Sequence, residues 1–311
     1  STPVTSARTS AVRRGMRRMN EFKNYHPTVA AAYFAAVIGF SMVLTHPVCL
    51  AVSLAAALGS AVISGDRRTL RFALFGALPA ALIFAAANPL FSHEGASIIA
   101  YFPNGNPLTA ESIYFGLAQG AMLGAVLLHF SALNRIMTSD KLMYLTGRLL
   151  PSLSLIISMT LRFVPHFSRR AKKISDAQKN LGTYSGGGII ARLRGALKVF
   201  SVLISQSLEG AIDTADSMKS RGFGCGRRSA FSNYRITDRD RAALVYIFLC
   251  LAYLIFAYAR GSLAFRCYPT VRAAGGIRFA VAAAVWAILC FCPIIIEIWE
   301  AYRWKKSQLK I

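Results

Sequence analysis

Acidic residues are scarce in this chain: 13 Asp and Glu stand against 36 Lys and Arg in 311 residues, a formal net charge of +23. Diphosphate chemistry through Mg²⁺ normally draws on two facing acidic clusters. Asp213-x-x-Asp216 is one candidate pair, but no other acids are paired in that way on a cytoplasmic helix, and Asp238-x-Asp240 sits at the charged entry to an apolar run. An intramembrane prenyltransferase is therefore poorly served. No Gly-x-x-x-x-Gly-Lys-Ser/Thr loop is present, which excludes cradling ATP phosphates in the P-loop manner. Gly222-Phe-Gly224-Cys-Gly226 follows a helical pattern instead of joining a strand to a helix, so it is not read as a dinucleotide loop. The six Cys form no disulfide framework, and Cys290-x-Cys292 has neither zinc spacing nor an accompanying His pair. Cys250, Cys290 and Cys292 read as small apolar packing residues. No cofactor, metal or catalytic residue is expected.

Lys and Arg are missing altogether between Phe72 and Asn134. Positive charge spread over a surface would suit nucleic acid; charge segregated by segment suits a membrane protein. The chain is 55% hydrophobic, too apolar for an ordinary soluble domain. Six apolar stretches stand out: Thr28–Thr45, Val48–Ile63, Phe72–Ala87, Ser112–Phe130, Ala242–Ala259 and Phe279–Trp299. Each is read as a span of a hydrocarbon core about 30 Å thick, the shortest needing its flanks. His46-Pro47 between the first two reads as a tight hairpin, since Pro cannot continue a helix without losing a bond. With the N-terminus inside, the cytoplasmic Lys and Arg number 6 before the first span, 3 in Asp66–Arg71, 19 in Arg135–Arg241 and 4 at the C-terminus, 32 in all. Outside lie only Arg260, Arg266, Arg272 and Arg278. The positive-inside rule then places both termini in the cytoplasm. Trp299, Tyr302 and Trp304 suit an inner aromatic belt.

The fold class is thus all-α, a polytopic membrane protein with about six transmembrane helices and long cytoplasmic helices. Four regions are expected: a basic N-terminal arm over 1–22, a four-span bundle over 23–134, a cytoplasmic helical region over 135–240, and C-terminal membrane helices with a basic tail over 241–311. Ser1–Asn20 is polar and Arg-rich without an apolar core, so it is not read as a cleavable signal. In the outer connection, Ser97–Phe102 could form a short strand and Pro103-Asn104-Gly105-Asn106-Pro107 a turn. His129 reads as a satisfied interfacial residue, Glu297 and Glu300 as solvated groups at the inner exit of the last span.

Within the cytoplasmic region, Ser139–Arg148 reads as a short amphipathic helix. Pro151–Val164 is apolar but too short to span. Arg162–Gly182 is a separate helix whose stripe runs through Phe163, Phe167, Ala171, Ile174, Ala177 and Leu181. Ile189–Gly222 is one long helix, and its apolar middle, Ala196–Leu208, should be buried by other helices or by lipid. Gly182 and Gly222 are placed as C-terminal caps. Arg221 beside Gly222 is favourable on local grounds alone, because a cation meets the negative end of the helix dipole.

The segment around it says more. Ser217-Met218-Lys219-Ser220-Arg221-Gly222-Phe223-Gly224 resembles the second Ala-Arg-Gly motif of the transmembrane (T) component of energy-coupling factor transporters, the EcfT/CbiQ family. Thr138-Ser139-Asp140-Lys141-Leu142 and Leu161-Arg162-Phe163-Val164-Pro165 resemble the segments that lead into that family's cytoplasmic helices. Ala177-Gln178-Lys179-Asn180-Leu181-Gly182 stands where the family has its first motif. There Leu181 replaces the expected Arg, and Lys179 is the nearest cation. The resemblance covers about Phe22 to Trp304. It implies a coupling subunit without catalysis of its own, contacting ATPases through Lys179, Asn180, Leu181, Gly182, Ser220, Arg221 and Gly222. It further implies two ABC-type ATPase subunits on the helix tips and a separate substrate-binding membrane (S) subunit. The setting would be a prokaryotic plasma membrane and the cargo a vitamin or a cobalt or nickel ion. An ordinary ABC importer permease would carry a cytoplasmic Glu-Ala-Ala loop, and none is evident.

Overall fold

The computed structural model describes residues 21–63, 67–92, 95, 97–101, 107–182, 188–226, 234–266, 272–273 and 275–308. The chain divides into two compact units, one formed by Ser1–Lys141 with Tyr234–Ile311, the other by Leu142–Asn233.

The first unit holds the apolar helices. Helix α1 (Pro27–Val43) starts where the His26 ring accepts the Thr28 N–H and Pro27 occupies the first turn. It ends at an extended Leu44, and α2 (Pro47–Ile63) begins at the proline expected to force the reversal. Helix α3 (Arg67–Phe91) is longer than the apolar run that announced it. It contains a π-helical turn at Ala73–Ala77 just ahead of Pro79, whose ring would crowd the preceding turn of a regular helix. Two short strands follow, β1 (Ile98–Tyr101) and β2 (Pro107–Thr109), antiparallel with Tyr101 opposite Pro107. The expected strand is therefore present over Ile98–Tyr101; its last residue, Phe102, and residues 103–106 of the expected turn lie outside the described residues, as does 1–20 of the N-terminal arm.

Helix α4 (Ala110–Ile136) is capped by Thr109, whose hydroxyl accepts the Ser112 N–H. Buried Glu111 accepts the Ser97 N–H at 3.2 Å, fastening the outer hairpin to the helix start. Helices α3 and α4 approach backbone to backbone. A Cβ added to Gly116 would lie 2.4 Å from the Ala85 carbonyl oxygen, and one on Gly120 would lie 2.5 Å from that of Ala81. Only glycine permits such closeness, the small-residue packing typical of membrane helices.

After the second unit come α8 (Asp238–Ala259), the two-residue strands β3 (Phe265–Arg266) and β4 (Arg272–Ala273), and α9 (Ile277–Gln308). The core lies where α1, α2, α4, α8 and α9 meet. Fully buried Trp286 donates from Nε1 to the Cys49 carbonyl at 3.1 Å, and the Tyr33 hydroxyl donates to the Cys290 carbonyl at 3.1 Å. Each ring thus fills apolar space while its polar end is satisfied inside the bundle.

Among the described residues, four helices have the length and apolar character to cross a bilayer: α3, α4, α8 and Ile277–Trp299 of α9. Helices α1 and α2, 17 residues each, sit at the lower limit for crossing, about 26 Å long at 1.5 Å per residue. Phe22, assigned from sequence to the basic arm, instead belongs to the core: it is 2% exposed and packs on Tyr25, Tyr33 and Phe34. Its large apolar ring outweighs the polar stretch before it.

The second unit contains most of α5 (Ser139–Leu149), then α6 (Pro151–Asn180) and α7 (Ile189–Ser220). Pro151–Val164 and Arg162–Gly182, read separately from sequence, form one continuous helix through Pro165. Proline removes one backbone donor but does not always end a helix. Phe163 and Phe167 stack at 5.6 Å across the turn that contains it, and Arg169 Nε donates to the Pro165 carbonyl. The apolar middle of α7, expected to be buried by other helices or by lipid, is not covered by the described helices of this chain. Leu193, Leu197, Phe200, Ile204 and Leu208 are exposed, a stripe at helical spacing that the chain's own second unit leaves uncovered.

Candidate coupling surface

Both long helices of the second unit, α6 and α7, end on a glycine in the left-handed region. At the end of α7, Gly222 has φ +77°, its N–H donates to the Lys219 carbonyl, and the Phe223 N–H reaches back to Met218. These two bonds satisfy carbonyls that a helix terminus would otherwise leave open. Arg221 precedes the glycine as the last residue before the turn. At the end of α6, Gly182 has φ +74° and its N–H donates to the Lys179 carbonyl. The two tips share one backbone design and differ in side chain.

At the first tip Leu181 is 77% exposed, although the sequence stripe assigned it to the apolar face. Among the described residues, none covers that face at the helix end. Lys179 Nζ lies 4.0 Å from Asp176 Oδ1, with both side chains exposed, so its charge is shared along its own helix. Asn180 is exposed beside it. At the second tip Arg221 is exposed, and Ser220 Oγ turns inward to the Ser217 carbonyl at 3.0 Å.

Helices α6 and α7 approach one another around Phe163–Phe167 and Ser207–Thr214, the residues lining their shared groove. Each runs well beyond that point. Residues 181 to 189 are joined by eight peptide steps, at most about 28 Å, so the end of α6 and the start of α7 must lie on the same side of the crossing. The C-terminal end of α7 then leaves on the opposite side, which separates the two tips by roughly 35 Å at 1.5 Å rise per residue.

On one side of the crossing a hollow of about 640 Å³ is lined by Arg162, His166 and Arg169 of α6 and by Asp213, Ser217 and Arg221 of α7, among others. The spacing explains the convergence: 162, 166 and 169 share one face of α6, while 213, 217 and 221 share one face of α7. Sequence reasoning singled out Arg221 and missed that Arg162 and Arg169 converge on it. The available signal was the i, i+4, i+7 spacing, which names a face but not the neighbour it meets.

The other candidates separate. Asp213 lines this hollow, whereas Asp216 does not; a carboxylate set among three guanidiniums is a poor ligand for a divalent cation. His129 is buried and lies 3.3 Å from Ser53 Oγ, which in turn lies 2.8 Å from Ser41 Oγ, so its hydrogen bonding is internal. Glu297 is half-buried instead of solvated: with Arg135 and His129 it borders a cavity of about 20 Å³, room for one water. The Glu300 side chain lies outside the described residues. Cys49 and Cys290 are buried, Cys250 and Cys292 half-buried and Cys225 exposed, all as free thiols.

Known proteins resemble this chain. The family described as cobalt transport protein, CbiQ, matches residues 23–231. The energy-coupling factor transporter transmembrane protein EcfT of Lactobacillus helveticus is 33% identical over 105 residues, 33% of this chain and 38% of the relative. That of Leuconostoc gelidum is 30% identical over 113 residues, 35% of this chain and 42% of the relative. An uncharacterized Mycoplasma genitalium protein, MG181, is 28% identical over 167 residues, 50% of this chain and 39% of its own length. The chain spans about two fifths of the length of these relatives.

Proposed function

Since the chain belongs to the CbiQ/EcfT family of energy-coupling factor transporter transmembrane components, we propose that it is the coupling subunit of an ATP-driven importer. Its two cytoplasmic helix tips dock on two ABC-type ATPase subunits. A separate substrate-binding membrane subunit captures the cargo, a vitamin or a cobalt or nickel ion. The protein resides in a prokaryotic plasma membrane with both termini cytoplasmic.

The observation that carries this reading is the pair of glycine-capped helix ends facing opposite sides of one crossing. Two separate ends, roughly 35 Å apart by helix rise, suit two partner subunits and transmit a change in the distance between them as a change in crossing angle. Helices are stiff over this length, so little of that movement is lost on the way. The exposed Leu193–Leu208 stripe gives the substrate-binding subunit or lipid an apolar surface beside the moving part. ATP is hydrolysed by the partners, in keeping with the absence of a P-loop from this sequence.

Arg221 tests the reading. A guanidinium offers a planar fork suited to bidentate carboxylate pairing. Truncating one side of a desolvated interfacial pair costs about 2–5 kcal/mol, roughly 30-fold or more in affinity. A dipole-compensating cap alone is worth about 0.3–1 kcal/mol. ATPase co-purification and substrate uptake are measured for wild type, Arg221→Lys and Arg221→Ala. The expected order is wild type, then Lys, then Ala with assembly lost; wild-type assembly and uptake in the Ala variant would refute ATPase docking through Arg221.

A further inference from the structure

We propose that Arg162 and Arg169 of the first long helix, together with Arg221 of the second, form one composite anion-binding hollow that receives carboxylates of the ATPase subunit engaged by the second tip. This rests on the coupling-subunit reading and extends it from one residue to a surface shared by both helices.

Three guanidiniums line the hollow with a single lining carboxylate, Asp213. Among the described residues, Arg162 and Arg221 make no side-chain hydrogen bond or ion pair, and Arg169 spends only Nε, on the Pro165 carbonyl at 3.2 Å. The forks are therefore free to accept an external partner. Like charges held around one concavity repel each other, and an incoming anion relieves that repulsion. The fork geometry favours carboxylate over a diffuse counterion. The hollow is also too wide for one side chain to fill, so a chain segment bearing more than one acid fits it better than a lone residue.

The arrangement has a mechanical consequence. A partner gripping Arg221 alone would hold only the end of α7. A partner gripping Arg162 and Arg169 as well holds both helices close to their crossing, so the second ATPase would clamp the crossing while the first, on Leu181, moves a free arm. Asp213 supplies a sign test. As the lone carboxylate in the hollow it opposes an anionic partner, and its removal should tighten binding, the reverse of what generic damage to a helix would do.

The experiment uses the full chain in nanodiscs with the ATPase pair that co-purifies with it. The affinity of wild type, Arg162→Gln with Arg169→Gln, Asp213→Asn and Arg221→Ala is followed across salt concentration. Glutamine keeps helix propensity, and circular dichroism verifies that helix content is retained. The double variant should bind about tenfold or more weakly at low salt with a flatter salt dependence, and Asp213→Asn should bind more tightly. If the double variant binds like wild type while Arg221→Ala does not, the composite hollow is wrong and the coupling reading stands. If Arg221→Ala also binds like wild type, docking at this tip falls altogether. Weaker binding by Asp213→Asn overturns the anionic-partner assignment. A double variant that loses association with phosphatidylglycerol vesicles but keeps its ATPases overturns it too, making lipid the occupant.

Discussion

Lys141 Nζ donates to the carbonyl oxygen of Tyr25 at 3.4 Å, and this lysine is only 4% exposed. The next residue, His26, donates its backbone N–H to Asp240 Oδ1 at 3.1 Å. Asp240 also closes a capping box with Thr237 at the start of α8, and Arg239 places its guanidinium 4.4 Å from the centre of the Tyr25 ring. Lys141 and Tyr234 are the two residues at which the chain leaves and re-enters the membrane-embedded unit. Both crossing points are thus fastened to one dipeptide, Tyr25-His26, with Tyr234 itself set edge-on against the His26 ring.

Removing these fastenings should loosen the membrane-embedded unit. Lys141→Met keeps the aliphatic stem and loses the charged donor, at an expected cost of about 1.5–3 kcal/mol. Thr237→Ala loses a cap worth about 1 kcal/mol. Thermal unfolding in detergent should rank wild type above Thr237→Ala and Thr237→Ala above Lys141→Met. A Lys141→Met protein as stable as wild type would show that the bond contributes nothing.

The contact between α3 and α4 predicts opposite outcomes at two glycines. Gly120→Ala should destabilise by about 1–3 kcal/mol, because its methyl would meet the Ala81 carbonyl and Ala85. Gly39→Ala, with nothing within 4 Å of the new Cβ, should stabilise α1 by about 0.5–1 kcal/mol through helix propensity. The same unfolding assay reads both, and a tolerated Gly120→Ala would rule out the close approach.

The two tips should respond unequally. Leu181→Arg is expected to preserve or strengthen ATPase docking, while Lys179→Ala has a modest effect, since that ammonium already shares its charge with Asp176. Pull-down of the ATPases measures both. Loss of assembly in Leu181→Arg would identify the exposed leucine as an apolar anchor for a pocket that has no room for a cation.

Orientation is tested by labelling. The 32-to-4 division of Lys and Arg predicts that residues 135–241 are cytoplasmic. A cysteine introduced at Ser185 on a Cys-free background should stay unlabelled by an impermeant thiol reagent in intact cells and react once the membrane is opened. Labelling from outside would reverse the topology.

Much of the molecule was legible from spacing along the chain. Apolar runs mark helices because a bilayer demands internally bonded backbone, and the glycines after Leu181 and Arg221 mark helix ends because left-handed geometry is cheap only for glycine. The resemblance in Thr138–Gly224 pointed to the family and to Arg221. The change from an apolar to an amphipathic pattern near Arg162 misled, since such a change marks a segment's surroundings and not the end of a helix, and the Phe163–Phe167 stack across the join is invisible in sequence. Phe22 misled for a similar reason: a residue at the edge of a basic segment shows nothing of the rings that will surround it.

Sequence by itself determined that the chain is helical, membrane-embedded and asymmetric in charge, because these follow from periodicity and composition within single segments. Only the tertiary structure decided which faces meet. It set Gly116 and Gly120 against the carbonyls of α3, and Lys141 and Asp240 on adjacent residues far away in sequence. It also gathered Arg162, Arg169 and Arg221 around one hollow. Such meetings depend on how helices cross, and a crossing is fixed by the joint packing of two surfaces that neither helix specifies alone.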